Sequence, residues 1–271
     1  MKEILIDELL KLQLDILKRV DEFCRDNSIS YTVFGGTCIG AVRHKGYIPW
    51  DDDIDIAMTR PEYDRFIHSF NGAFENLEVL APELDWDYYA PFANVHDKRT
   101  ILFEGSNGHH GIELGVKIDV FPIDGVSSND DEYHVQKTKF AKLWSLLYSK
   151  RVVISQLWKQ NHRMAVLCFI KRIVSLGYSY ARVQKRIHAL IVKSPYQESE
   201  YVDLSCYPWP NDSRCKRDVF DEYISIPFES LMVSIIKDYD IYLRKAYGDY
   251  MQLPPEKDRI PKHSFSAYWK D

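Results

Sequence analysis

Apolar residues recur at intervals of three and four in the first part of the chain, at Leu5, Leu9, Leu12, Ile16, Val20 and Phe23, and predict an amphipathic helix ending near Asn27. The period then shortens. Ser30 to Phe34 reads as a short strand, Gly35-Gly36 as a tight turn, and Thr37 to Arg43 as a helix opened by that turn. Asp53-Ile54-Asp55-Ile56 alternates, so the two aspartates would share one face of a strand while both isoleucines enter a core. Thr59 with Glu62 reads as a capping box, with Pro61 in the first turn of a helix to Phe70. Strands over Leu77–Leu80, Pro91–His96 and Thr100–Phe103 would extend the sheet, as would a longer one from Gly115 to Asp124. In that run Val116, Ile118 and Val120 take one face and Lys117, Asp119 and Phe121 the other, and Asp124, after Pro122, reads as a turn residue.

Farther on, Leu143 to Tyr148 and Met164 to Ile170 suggest helices with an apolar stripe and a basic face. Phe228, Leu231, Ile235, Tyr239 and Tyr242 predict a helix closed by Tyr247-Gly248 ahead of Pro254-Pro255. The expected class is α/β, a mixed sheet with helices on its faces. The expected organisation is a core over 1–126, a helical insertion over 127–200 and a helical C-terminal part over 201–271 packed on that core.

The chemistry concentrates in Phe34 to Met58, FGGTCIGAVRHKGYIPWDDDIDIAM. Two carboxylates on one side of a strand repel, and a bound cation is the ordinary relief. Hard oxygen donors at this density suit Mg2+ or Mn2+, which take the rest of their shell from water and substrate phosphates. Gly35 and Gly36 allow close backbone approach, and the free amides of the helix beginning at Thr37 face an anion. Arg43, His44 and Lys45 follow at once with charge for a phosphate chain. Asp51, Asp53, Asp55 and Glu62 also fit positions of an EF-hand loop, but Ile56 stands where its turn glycine must be. Asp119 is a candidate third carboxylate, either completing a metal shell or taking a proton from an attacking hydroxyl; a strand-end aspartate facing water is the alternative. Lys117 shares its face. His109-His110 lies in a Gly-rich loop near this strand, and His110 is a candidate contact to acceptor or phosphate.

Composition narrows the setting. The chain has 271 residues, 45% of them hydrophobic, enough for a sizeable core. Five cysteines form no CxxC, which points away from a zinc ribbon or disulfide framework and toward a reducing cytoplasm. Lys2 to Glu8 is charged where a secretory signal needs an apolar centre, so a soluble or peripheral protein is expected. The net charge of −5 hides two opposite parts: Tyr133 to Gln197 holds 13 Lys or Arg and no Asp or Glu, leaving 22 basic against 40 acidic residues elsewhere. This segment would either lie on an anionic membrane at its inner face, at roughly 1 kcal/mol per Lys or Arg, or pair with the acidic remainder of the fold. No nucleic-acid recognition motif accompanies it.

The run GGTCIGAVRHKGYIPWDDDIDIAM, the strand KIDVFPID, and the tail YGDYMQLPP followed by His263 resemble the LicD family of phosphotransferases, related to the fukutin proteins and sharing the nucleotidyltransferase fold. The resemblance covers about residues 5–126 and 218–265. It implies a nucleotidyltransferase-like mixed sheet, phosphate binding at Gly35-Gly36, metal at Asp53 and Asp55, and a third acid at Asp119. Thr37 departs from the GS of many members of the wider fold. The family tail suggests that Lys257, Arg259 and His263 fold back toward the phosphates. The implied reaction moves a phospho-alcohol group from a CDP-linked donor, CDP-choline in LicD proteins and CDP-ribitol in the fukutin branch, onto a hydroxyl of a glycan or its lipid-linked precursor, with release of CMP. A CDP-glycerol donor, a nucleotidyltransferase that releases pyrophosphate, and a non-catalytic membrane-surface protein are the alternatives.

Overall fold

A computed structural model describes residues 1–104, 112–207, 212–260 and 265–271. The first part runs β1 (Lys2–Ile4), α1 (Ile6–Asp26), β2 (Thr32–Val33), α2 (Gly35–Ile39), β3 (Asp55–Thr59), α3 (Arg60–Ser69), β4 (Leu77–Leu80), β5 (Ala93–Asp97), β6 (Thr100–Glu104) and β7 (Lys117–Val126). Four helices follow: α4 (Asp130–Arg151), α5 (Ile154–Gln160), α6 (His162–Val174) and α7 (Tyr180–Ile191). The rest is β8 (Tyr201–Asp203), β9 (Cys215–Lys216), β10 (Tyr223–Phe228), β11 (Leu231–Ile236), α8 (Tyr239–Tyr247) and β12 (Phe265–Trp269).

The fold is mixed α/β. Its main sheet has the order β2-β3-β7-β5-β4, with β8 added to the far half of β7 and β9 to β8. Among the described strands only β3 and β7 pair in parallel, in a register that sets Asp55 beside Asp119 and Ile56 beside Val120. A parallel pair needs a long crossover, which here runs through α3 and β4 to β6. Alternation then sorts the faces: Ile54, Ile56, Ile118 and Val120 are buried, and the aspartates between them share the other face. The amphipathic α1 lays Leu9, Ile16, Leu17 and Val20 against this sheet.

Several expectations need correction. Thr100–Glu104 is a strand, but it belongs to a separate three-stranded sheet with β1 and β12. Thr59 precedes α3 without a side-chain cap; Glu62 turns instead to the Ser30 amide and to Arg65. Asp124 is no turn residue. It lies inside β7, 1% exposed, and accepts two hydrogen bonds from the Arg60 guanidinium at 2.6 and 3.0 Å. The helix expected from Phe228 onward is the hairpin β10–β11, and only Tyr239–Tyr247 is helical. Ile224, Ile226 and Phe228 and then Leu231, Val233 and Ile235 alternate with period two, and Glu229 takes a left-handed φ of 51° at the reversal between them. The C-terminal part therefore holds more strand than helix.

In the insertion, Asn129, Asn161 and Ser179 accept amide hydrogen bonds at the N-termini of α4, α6 and α7. All five cysteines are buried and free. No helix among the described residues is long and apolar enough to cross a membrane.

Candidate active site

The site lies where β2, β3 and β7 meet. From β2 the chain enters α2 through Gly35, which takes φ +54°, a conformation that costs an L side chain about 1–2 kcal/mol. The Gly35 amide donates to the Tyr242 hydroxyl at 3.3 Å, and the Phe34 ring stacks on Tyr242. Carboxylates pack closely against the glycine pair. A Cβ on Gly36 would lie 2.5 Å from Asp51 Oδ2, and one on Gly35 would lie 3.0 Å from Asp55 Oδ2. The carboxylates thus rest directly on the glycine turn. Thr37 is buried, and its hydroxyl accepts the Asp55 amide at 2.9 Å, which ties the start of α2 to the start of β3.

Beyond α2 the helix widens into one π-turn, Gly40–His44, closed by Lys45 in the left-handed region at φ 63°. Each of the three basic residues there has a partner within the chain. Arg43 donates to the carbonyls of Tyr250 and Gln252 and to His44 Nε2, and Lys45 donates to the Val42 carbonyl. Partial burial and the neighbouring Arg43 charge lower the His44 pKa. These bonds hold the segment after α8 against the π-turn, and the Arg259 guanidinium from the same tail lies over the Trp50 ring, next to the aspartates.

Asp51, Asp52 and Asp53 each offer a carboxylate oxygen within 4.8 Å of the others, close enough to share one ion. Asp55 adjoins them, and burial, then Asp53 and Asp119, push the Asp55 carboxyl well above its ordinary range. Asp119 sits opposite Asp55 in the β3–β7 register. Its Oδ1 accepts from Lys117 Nζ at 2.5 Å and from Asn94 Nδ2. Burial raises the Asp119 carboxyl, with Lys117 pulling against it. Burial opposes charge on Lys117 too, but Asp119 and Glu104 outweigh it and hold the ammonium above its usual range. Asn94 also accepts from the Tyr88 and Tyr89 hydroxyls, so the amide that orients Asp119 is itself fixed. Tyr207 and Tyr247 border the site, and burial and the nearby carboxylates raise both phenols.

Asp53, Asp55, Asp119, Lys117, Gly35, Gly36 and Thr37 are thus neighbours. His110 and His263 lie outside the described residues. Sequence reasoning overlooked Asp51 as a member of the cluster, and also Asn94, Glu104, Tyr242 and Tyr247. Asn94 carried a signal, as a polar residue in the middle of an otherwise buried strand.

The donor set fits a hard divalent cation: oxygen ligands only, several of them carboxylates, crowded and partly buried beside a positive-φ glycine turn. Comparison with known proteins identifies the family. The domain family described as LicD/FKTN/FKRP, nucleotidyltransferase domain, matches residues 28–152, which contain the glycine turn, the carboxylates of the site, Asn94 and Lys117, but not Tyr207, Tyr242, Tyr247 or the tail. The lipopolysaccharide cholinephosphotransferase LicD of Haemophilus influenzae is 32% identical over 274 aligned residues, 99% of each chain. Shorter stretches match uncharacterized proteins of Rickettsia typhi, 41% identical over 19% of this chain and 16% of the relative, and of Rickettsia prowazekii, 46% over 16% of each. With a relative matched from end to end and the family's domain laid over the carboxylate site, the chain belongs to the LicD family.

Proposed function

We propose that the protein transfers a phospho-alcohol group, phosphocholine from CDP-choline in the first place, to a hydroxyl of a cell-surface glycan or its lipid-linked precursor, and releases CMP. The end-to-end match with a cholinephosphotransferase carries the choline assignment. The crowding of carboxylates on the glycine turn supports phosphoryl transfer as the chemistry. Buried free thiols suit a cytoplasmic setting.

Asp53 and Asp55, joined by Asp51, would hold Mg2+, with Mn2+ as a substitute. When bound, the ion neutralises charge on the diphosphate and orients it. The chain supplies the rest. The Gly35-Gly36 backbone lets the phosphates approach closely. Asp119, held by Lys117 and Asn94, accepts the proton of the acceptor hydroxyl, whose oxygen forms the new bond to the distal phosphorus as the bond to CMP breaks and CMP leaves with the electron pair. Lys117 stays charged throughout and offsets negative charge building up beside it.

The test is CMP release from a panel of CDP-choline, CDP-ribitol and CDP-glycerol with Mg2+, with Mn2+, or with a chelator. CDP-choline consumption that stops with chelator is expected, as is a loss of about a thousandfold in Asp53→Asn with an unchanged melting temperature. Faster turnover of CDP-ribitol or CDP-glycerol would reassign the donor. Pyrophosphate release from CTP would make the protein a nucleotidyltransferase, and inertness toward every donor would leave a non-catalytic member of the fold.

A further inference from the structure

Helix α6 is amphipathic the wrong way round for a helix of a water-surrounded protein. Its small residues Ala165 and Cys168 face inward, into a satellite core formed with Val152 and Leu157. Its large apolar residues face out. Phe169 is 54% exposed, Ile173 51%, Val174 71%, and Leu176 in the turn that follows 77%, with Leu167, Ile170 and Trp158 of α5 beside them. Contiguous exposure on this scale marks an interaction surface.

Part of the segment's positive charge is spent on joining this helix pair to the end of α4 and on aromatic rings nearby. Arg172 donates to the carbonyls of Ser149, Lys150 and Val152, Lys150 donates to the Ser175 carbonyl, and the Arg151 guanidinium lies over Tyr89 and Trp144. Lys159 and Arg163 remain exposed beside the apolar residues, and no acidic residue lies anywhere from 133 to 197.

We infer that α6 and the turn after it dock the protein on an anionic lipid surface by inserting apolar side chains among the lipids, with the exposed cations at its flank contacting headgroups. Thirteen residues give a helix about 20 Å long, suited to lying in the interface plane. Charge complementarity selects the occupant. A second copy docked by the same face would bring two wholly basic segments together, whereas anionic headgroups would neutralise them. The inference uses none of the residues of the carboxylate site and stands whatever the donor proves to be.

Flotation of the full chain with phosphatidylcholine vesicles, with and without phosphatidylglycerol, tests it. Binding about tenfold tighter to the anionic vesicles is expected, weakened but not abolished by high salt, with a blue shift of tryptophan emission that Trp158→Phe removes. The triple change Phe169→Ser, Ile173→Ser, Leu176→Ser should cut partitioning at least tenfold while its circular dichroism matches the parent; Leu176→Ser alone, outside the helix, gives the same sign if the triple variant folds poorly. Equal binding to neutral and anionic vesicles, complete release by salt, or partitioning indifferent to the serine changes would overturn the inference. So would a dimer dissociated by those changes in a protein that ignores vesicles, which would assign the face to a second copy.

Discussion

Gly36 shows how much of the site rests on an absent side chain. An added methyl there meets only the end of the Asp51 side chain, which can swing away, while at Gly35 the backbone itself is left-handed. The two glycines should therefore fail differently. Gly36→Ala should melt like the parent yet bind Mn2+ and release CMP about tenfold more weakly, because the displaced carboxylate loses its aim. Gly35→Ala should lose about 1–2 kcal/mol of stability as well, from the positive φ. Metal titration and thermal melts on both variants separate the effects, and undiminished Mn2+ affinity in Gly36→Ala would remove Asp51 from the metal shell. The place of Asp55 between Ile54 and Ile56 was legible in the sequence because period two leaves a strand no other way to bury both isoleucines, although β3 begins only at Asp55 and Asp53 stands just before it. The role of Asp51 was not, since it precedes the strand and its position is set by the glycine it touches across the turn. The partners of Arg43 were not legible either, because spacing does not show that its guanidinium donates to the carbonyls of Tyr250 and Gln252, some two hundred residues away.

Among elements, β5 is the strand on which the site leans, since it carries Asn94 and, two residues on, His96. His96 is buried, and its Nδ1 accepts the Gly115 amide at 3.0 Å, which fixes the start of β7. Burial holds its pKa below the ordinary value, with Lys270 assisting and Glu78 and Asp97 pulling the other way. The sign follows directly. Below about pH 6.5 the unfolded chain takes up a proton that the folded chain excludes, so stability falls as pH drops from there toward the folded pKa. Asn at this position offers a carbonyl oxygen to the same amide and does not titrate. Urea unfolding at pH 7.5 and 5.5 should therefore show a smaller acid penalty in His96→Asn than in the parent, and equal penalties would mean that His96 is protonated in the folded protein. Elements differed in how far sequence alone revealed them. Helix α1 and strands β4 and β7 follow a single period and were readable. The β10–β11 hairpin was not, because Phe228, Leu231 and Ile235 fit a helical spacing by coincidence while β-branched Ile224, Ile226, Val233 and Ile235 follow the strand period.

At the scale of the molecule, there are two cores of unequal weight. The main one runs from α1 through the sheet to α7 and the hairpin, whereas α5 and α6 share a small satellite core with the end of α4. A basic segment read in isolation could either pair with the acidic remainder or meet a membrane, and the structure divides the work: its cations largely bind carbonyls and aromatic rings, and its apolar residues are what it presents outward. Such a helix pair should be separable from the catalytic body. Lys150 Nζ donates to the Ser175 carbonyl at 3.0 Å, so the end of α4 and the turn after α6 lie within reach of one lysine side chain. Replacing residues 154–173 with a short Gly-Ser linker therefore closes a small gap and leaves every residue of the carboxylate site in place. The shortened protein should unfold cooperatively within a few degrees of the parent and release CMP from a soluble donor at a comparable rate, while losing its affinity for anionic vesicles. Differential scanning calorimetry with the same flotation assay decides it: a shortened chain that melts early and broadly would show that the helix pair belongs to the folding unit, and one that still floats would place the lipid contact on another face.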